Sequence, residues 1–286
     1  MERTLSQNEA KVILDLEWRN QKTVTLAQVR AALDATDEYA RYVAHRLVKK
    51  GWLERLRPGL FQLVPAQRGR EGVADTHPLT AGAMLVEPYF FSFGTACTHH
   101  RLTEQYFSEV YIACRVRRRP VTIRNKRYVF VQLPEQKFFG YEEATVLGRV
   151  IRMAAIERAL LDALDHPRYA GGIGEVSRMV ARGASRVAWE RLVKFAKRWK
   201  QSAIVQRLGY LLDLHDADVP VPVRKQLLGM VSPKSKSHLG SRRHWGVAGK
   251  LARPWNVIEN VPAEVLIEAR DRGRRRVSFG SRSKKG

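Results

Sequence analysis

Apolar residues return at helical spacing in three short runs at the start of the chain, and two alternating, strand-like runs follow them. The clearest helix lies between Tyr39 and Trp52. At about 100° per residue, Ala40, Val43, Ala44 and Leu47 share one side and would face a core. Glu38, Arg41, Tyr42, His45 and Lys49 fall opposite, with Arg46 on the flank. Gly51 stops the helix. Leu53 to Val64 then reads as two short strands around the turn Arg57-Pro58-Gly59. Upstream, Ser6-Gln-Asn-Glu9 is a capping box that opens a helix carrying Ala10, Ile13, Leu14 and the pair Glu17-Trp18. Thr25-Leu-Ala-Gln28 is a second box, before Leu26, Val29 and Leu33. Asp34 to Asp37 supplies a turn and a third cap at Thr36.

Three helices and a hairpin within about 60 residues describe a winged helix-turn-helix, whose third helix enters the major groove of DNA. Arg on such a face can be bidentate to guanine. The candidate DNA contacts are Thr36, Tyr39, Arg41, Tyr42, His45, Arg46 and Lys49 on the helix and its cap, with Arg55 and Arg57 on the wing. The alternative is a solvated basic face with no ligand.

Pro65 to Gly72 has linker composition and marks a domain boundary. Beyond it the pattern is mixed. A helix ends near Met84 to Val86, and Tyr89 to Phe93 is a short turn or strand. Val110 to Cys114, Val121 to Ile123 and Tyr128 to Leu133 read as strands, and Val146 to Arg152 adds another. From Ala155 the period is helical, through Ile156, Leu160, Leu161 and Leu164, then Val176, Met179 and Val180. Trp189, Leu192, Val193 and Ala196 extend it, followed by Ile204, Leu208, Leu211 and Leu212. The expected fold class is α+β: a winged helix over residues 1–66, a larger domain with a small sheet and a helical section over 76–262, and a basic tail over 270–286 that cannot bury a core.

The chain of 286 residues is long enough for two domains, and its net charge of +23 invites a polyanionic partner, nucleic acid before membrane. The charge is unevenly spread. Residues 1–64 hold 11 basic and 8 acidic residues, a net of +3, whereas residues 224–286 hold 16 and 4, a net of +12. The winged helix is therefore not the main source of positive field. Cys97 and Cys114 have no metal or redox spacing, the N-terminus lacks a signal-peptide pattern, and no apolar run approaches a membrane span of about 20 residues. A cytoplasmic protein without membrane contact or cofactor is expected.

Several stretches invite chemistry. Arg115, Arg117, Arg118, Arg119, Arg124, Lys126 and Arg127 form a basic patch with no acid in the same segment, suited either to phosphates or to guarding a strand edge. Cys97-Thr-His99-His100 lacks a fourth metal ligand at useful spacing, so no metal site is expected. Glu135-x-Lys137 is half of a nuclease motif with no convincing upstream partner. Gly171-Gly-Ile-Gly174 has no following Lys-Ser/Thr and reads as the start of a helix. Glu157, Asp162 and Asp165 suggest caps and ion pairs rather than a catalytic carboxylate pair.

Short motifs in a particular order carry a resemblance. Pro88-Tyr-Phe-Phe-Ser-Phe93, His99-His-Arg-Leu-Thr-Glu-Gln105, Lys137-Phe-Phe-Gly140, Ala155-Ile-Glu-Arg-Ala-Leu-Leu-Asp162, Tyr169-Ala-Gly-Gly-Ile-Gly-Glu-Val176 and Arg207-Leu-Gly-Tyr-Leu-Leu212 resemble the AbiEi family of antitoxins, from type IV toxin–antitoxin and abortive-infection (phage-defence) systems. Two departures stand out: His100-Arg101 where many members have Gly at the second position, and Met153-Ala-Ala-Ile156 where Ala-Asp-Pro is usual. The resemblance implies a non-enzymatic repressor that binds inverted repeats of double-stranded DNA in its own promoter. It also implies a C-terminal domain that counteracts a nucleotidyltransferase-like toxin, with or without direct binding. The competing readings are an enzyme that docks on nucleic acid through the winged helix, a module that binds a partner protein, and a regulator unrelated to any toxin.

Overall fold

A computed structural model of the chain describes residues 4–66, 77–147 and 149–267. Most of the expected linker and the whole basic tail at 270–286 lie outside the described residues. Those described group into two compact units. The first takes the residues up to Leu85 together with Val121–Lys126, and the second takes Val86–Pro120 and the residues from Arg127 onward.

The first unit is a winged helix. Helix α1 (Gln7–Trp18) opens on the Ser6/Glu9 capping box. Strand β1 (Thr23–Thr25) leads into α2 (Leu26–Leu33), where Thr25 caps and its hydroxyl accepts the Gln28 amide. Helix α3 (Asp37–Lys49) starts on Thr36, whose hydroxyl accepts the Tyr39 amide at 3.3 Å. Asp37 and Glu38 in its first turn and Arg46 and Lys49 in its last complement the helix dipole. Gly51, at φ +74°, breaks it. Strands β2 (Leu53–Arg57) and β3 (Leu60–Leu63) form the wing, turning at Gly59 with φ +73°. The sheet order is β1-β3-β2, antiparallel throughout. The sequence pattern missed β1, because three residues carry no readable alternation. Helix α4 (Pro78–Ala83) follows.

The core of this unit joins Val12, Ile13, Leu16, Val24, Val29, Leu53, Phe61 and Leu63 to Ala40, Val43, Ala44 and Leu47 of α3. The inward face expected for α3 is the one observed. That expected for α1 is not: Val12, Ile13 and Leu16 are buried, whereas Leu14 is 61% exposed and Trp18 85% exposed. Residues 12–18 hold enough apolar side chains for two overlapping stripes, and docking on the other helices selects one of them.

The second unit is built on a mixed sheet. Strand β4 (Tyr89–Phe91) runs into α5 (Phe93–His99). Strands β5 (Glu109–Cys114), β6 (Val121–Ile123), β7 (Lys126–Gln132), β8 (Tyr141–Val146) and β9 (Arg149–Ala154) follow; of these β6 groups with the first unit. The order in the second unit is β7-β5-β4-β9-β8. The pairs β5·β7 and β4·β9 are parallel, and β4·β5 and β8·β9 antiparallel. This sheet is larger than the sequence pattern implied. Strand β8 escaped notice because Tyr141–Val146 is mostly exposed and carries two glutamates.

Helices α6 (Ile156–Asp165), α7 (Ile173–Gly183), α8 (Trp189–Trp199), α9 (Ser202–Leu214) and α10 (Val221–Gly229) complete the helical half. Helix α6 is its hub, packing on α5, α7, α8 and α9. A last module comprises β10 (Ser237–His238), α11 (Arg242–Trp245), β11 (Lys250–Ala252), β12 (Val257–Glu259) and α12 (Ala263–Leu266), with sheet order β10-β12-β11. Its strands are two or three residues long and left no period to read.

Candidate nucleic-acid interface

Helix α3 presents Arg41, Tyr42, His45 and Lys49 to solvent on the side away from its buried stripe. Arg41, His45 and Lys49 make no hydrogen bond or ion pair with other described residues, so their polar groups are available to a ligand. Tyr39 and Tyr42 stand 40% and 53% exposed, with ring centroids 6.0 Å apart. Tyr39 is held from behind, its hydroxyl accepting from Asn8 Nδ2 at 2.9 Å. Thr36, at the start of this face, is spent on the cap.

Arg46 is placed differently from its neighbours. Its Nε lies 3.0 Å from Glu9 Oε1, its Nη1 donates to the Tyr42 hydroxyl at 3.1 Å, and its guanidinium sits 5.7 Å from the Tyr42 ring centroid. It ties α1 to α3 and steadies Tyr42, which gives it a bracing role before any base is met. Glu9 was visible in the sequence only as half of a capping box. Its Oε2 accepts both the Ser6 amide at 2.7 Å and Lys50 Nζ at 2.5 Å, so with Arg46 at Oε1 a 1% exposed carboxylate meets two cations. Burial pushes its pKa up, but the Lys50 ammonium and the Ser6 amide outweigh this and hold it below the ordinary value.

On the wing, Arg55 is exposed. Arg57 is half-buried, with Nη1 3.4 Å from the Pro58 carbonyl of its own turn, which makes it the less available of the two. A bulge between Arg55 and Arg57 shifts the register and leaves Leu56 buried.

The basic patch departs from its sequence-based description. No acid lies within the segment, yet acids from elsewhere in the chain reach it. Arg115 pairs with Glu135 at 3.2 Å and Arg127 with Glu109 at 2.7 Å. Arg124 forks onto Glu54 through Nε at 2.8 Å and Nη2 at 2.5 Å. Lys126 is half-buried. Arg117, Arg118 and Arg119 are exposed and have no ion pair among the described residues, the character expected of all seven. The partners lie 18 to 70 residues away in sequence, beyond the reach of a local charge count.

The other chemical candidates are occupied by structural work. Lys137 Nζ is bound by Asp165 at 2.8 Å and Gln201 at 3.0 Å, while Glu135 turns to Arg115. The half-motif of a nuclease is therefore pulled apart. Cys97 is fully buried, and burial beside Asp162 and Glu175 raises its thiol pKa far out of the reactive range. His100 Nε2 is engaged with the Ala154 carbonyl at 2.7 Å. Arg158 and Asp162, both essentially without exposure, form a fork at 2.7 and 2.9 Å. Glu157 lies 2.7 Å from Arg191 and accepts the Ala188 amide. Gly172 precedes the first turn of α7, so the glycine run starts a helix.

The first unit is thus a winged helix-turn-helix, the architecture of a groove-reading DNA-binding module. Residues 11–64 match the family described as "Transcriptional regulator, AbiEi antitoxin", the family that the sequence resembles and one of transcriptional regulators and antitoxins; the short motifs between Pro88 and Leu212 lie outside the matched segment. No curated protein matches the chain. Among solved structures, the crystal structure of the RV2827C protein from Mycobacterium tuberculosis aligns with a TM-score of 0.65, covering 95% of this chain and 97% of that one at 14% identity. At that identity the likeness is one of fold. Among the described residues no helix is long and apolar enough to cross a membrane.

Proposed function

We propose that this protein is the antitoxin and autorepressor of a type IV toxin–antitoxin system. Its winged helix binds inverted repeats in its own promoter, and its larger domain counters a nucleotidyltransferase-like toxin in the cytoplasm. The observation that carries the reading is the outward face of α3. Arg41, Tyr42, His45 and Lys49 stand exposed on a helix whose opposite side is sealed into a core, directly before a wing bearing Arg55. The family match over residues 11–64 supports the regulatory and antitoxin roles together.

Arg41 and His45 are proposed to read base edges, with Lys49, Arg55 and Arg57 on phosphates and Thr36 and Tyr39 at the groove margin. Arg46 serves mainly to hold Tyr42 and α1 in place. Several polar groups that would suit an enzyme are engaged in structural contacts, Asp162 with Arg158, Lys137 with Asp165 and Glu157 with Arg191, which supports a protein that acts by binding.

The test is genetic and uses the full chain. Co-expression with the nucleotidyltransferase encoded beside it should rescue growth, and a promoter–reporter fusion should be repressed. Arg41→Ala should lose repression while keeping rescue. Loss of rescue together with repression would argue against separate roles for the two regions. The absence of any toxin gene beside it would reduce the reading to a transcriptional regulator.

A further inference from the structure

Helix α1 carries two apolar side chains that the fold leaves outside its core. At about 100° per residue, Gln7, Lys11, Leu14 and Trp18 share the side opposite the buried Glu9, Val12, Ile13 and Leu16. Leu14 and Trp18 lie one turn apart on that side, and Trp18 is the most exposed large apolar side chain among the described residues. A scattered apolar residue on a surface calls for no explanation. An indole and a leucine aligned on one helix face, beside a hollow of matching size, do.

The hollow lies between α1 and α2. Val12, Leu16 and Val24 form its floor, and Ala31 and Ala32 of α2 its wall, small side chains that leave a groove of about 160 Å³ open. An apolar space of about 150 Å³ admits a benzene ring. Asp15 and Arg19 pair at 2.9 Å on the rim, on the flank of α1 next to the stripe that bears Trp18. The Arg19 guanidinium is placed to cover an aromatic ring that enters. The chain's own Trp18 does not line the groove and stands in solvent.

We propose that the occupant is the Trp18 ring of a second copy of this chain, so that two winged helices associate through α1. A two-fold axis across α1 sets two copies of the helix antiparallel, and each copy then offers the same knob and the same groove to the other. Leu14 adds apolar area beside the ring. Each indole brings about 150–250 Å² of surface. Two rings and two leucines therefore fall short of the roughly 1,200 Å² at the lower end of a stable interface, and the dimer is weak and reversible. The net charge of +23 on each copy opposes the contact, and salt screens that repulsion. The proposal concerns the protein free of DNA and does not rest on operator binding.

The test is sedimentation equilibrium of the full chain, freed of nucleic acid, from micromolar to near-millimolar concentration at low and high salt. The average mass should rise from monomer towards dimer with concentration, and further at high salt. Trp18→Ala should weaken the association at least about tenfold. Ala31→Lys, which fills the groove and leaves Trp18 in place, should weaken it as much. A mixture of the two variants regains one of the two contacts and should associate more strongly than either alone. Both positions are exposed on their helices, and thermal melts check that each variant folds. A monomer throughout, an association that neither variant weakens, or one that falls as salt rises overturns the proposal. A loss in Trp18→Ala alone overturns the groove as the seat of the ring.

Discussion

The carboxylate of Glu9, sealed at 1% exposure, meets the ammonium of Lys50 at 2.5 Å and so fastens the first helix of the winged helix to the end of its third. Arg46 approaches the other oxygen of the same carboxylate at 3.0 Å. The orientation of the reading helix thus depends on a residue that would touch no DNA. Because the folded pKa of Glu9 is held below the ordinary 4.5, it contributes stability that is present above that value and lost as pH falls through the lower folded value. Acid unfolding of the wild type should carry this term, and Glu9→Gln should unfold with a weaker pH dependence below about pH 4.5. At neutral pH the variant should lose about 1–3 kcal/mol, measured by chemical denaturation. An unchanged acid transition would show that the carboxylate is not engaged.

The fork of Arg158 onto Asp162 lies at the hub of the second unit. Arg158 also donates to the Lys137 and Phe139 carbonyls, Ser92 donates to Asp162, and the guanidinium stacks 4.2 Å from the Trp199 ring centroid. Removing one partner leaves a buried charge uncompensated. Asp162→Ala should cost about 3–5 kcal/mol in denaturant unfolding, and replacing both partners with apolar residues should recover part of it. A loss below about 1 kcal/mol would mean that water enters the site freely.

Arg101 occupies the position where the resembling family commonly has glycine, and its φ is +55°. The left-handed conformation costs a residue bearing a Cβ, so Arg101→Gly should stabilise the protein by about 0.5–1 kcal/mol once the added freedom of the unfolded chain is allowed for. A lower melting temperature would show that the arginine side chain, rather than the turn, is what the site requires.

These residues also show how far the sequence could be read. The winged helix was legible because its signals are local: capping boxes at Ser6 and Thr25, a cap at Thr36, a stop at Gly51, and a clean apolar stripe on α3. The face of α1 was misjudged because two stripes compete between Val12 and Trp18, and only packing decides between them. The patch from Arg115 to Arg127 has no acid in its own segment, and the compensation by Glu54, Glu109 and Glu135 comes from other parts of the chain that a local charge count does not reach. Strands of two or three residues, such as β1 and β10, have no period to detect. The brace made by Glu9, Arg46 and Lys50 spans 41 residues, and nothing local announces it.

The most direct test of the central claim is the affinity of the purified full chain for its own promoter and for a scrambled duplex of equal length, measured for wild type and Arg41→Ala at fixed salt. The account predicts tight wild-type binding to the promoter and a loss of about 1–3 kcal/mol on the promoter alone in the variant, with scrambled binding nearly unchanged. Equal wild-type affinity for the two duplexes, or an equal loss on both, would contradict it.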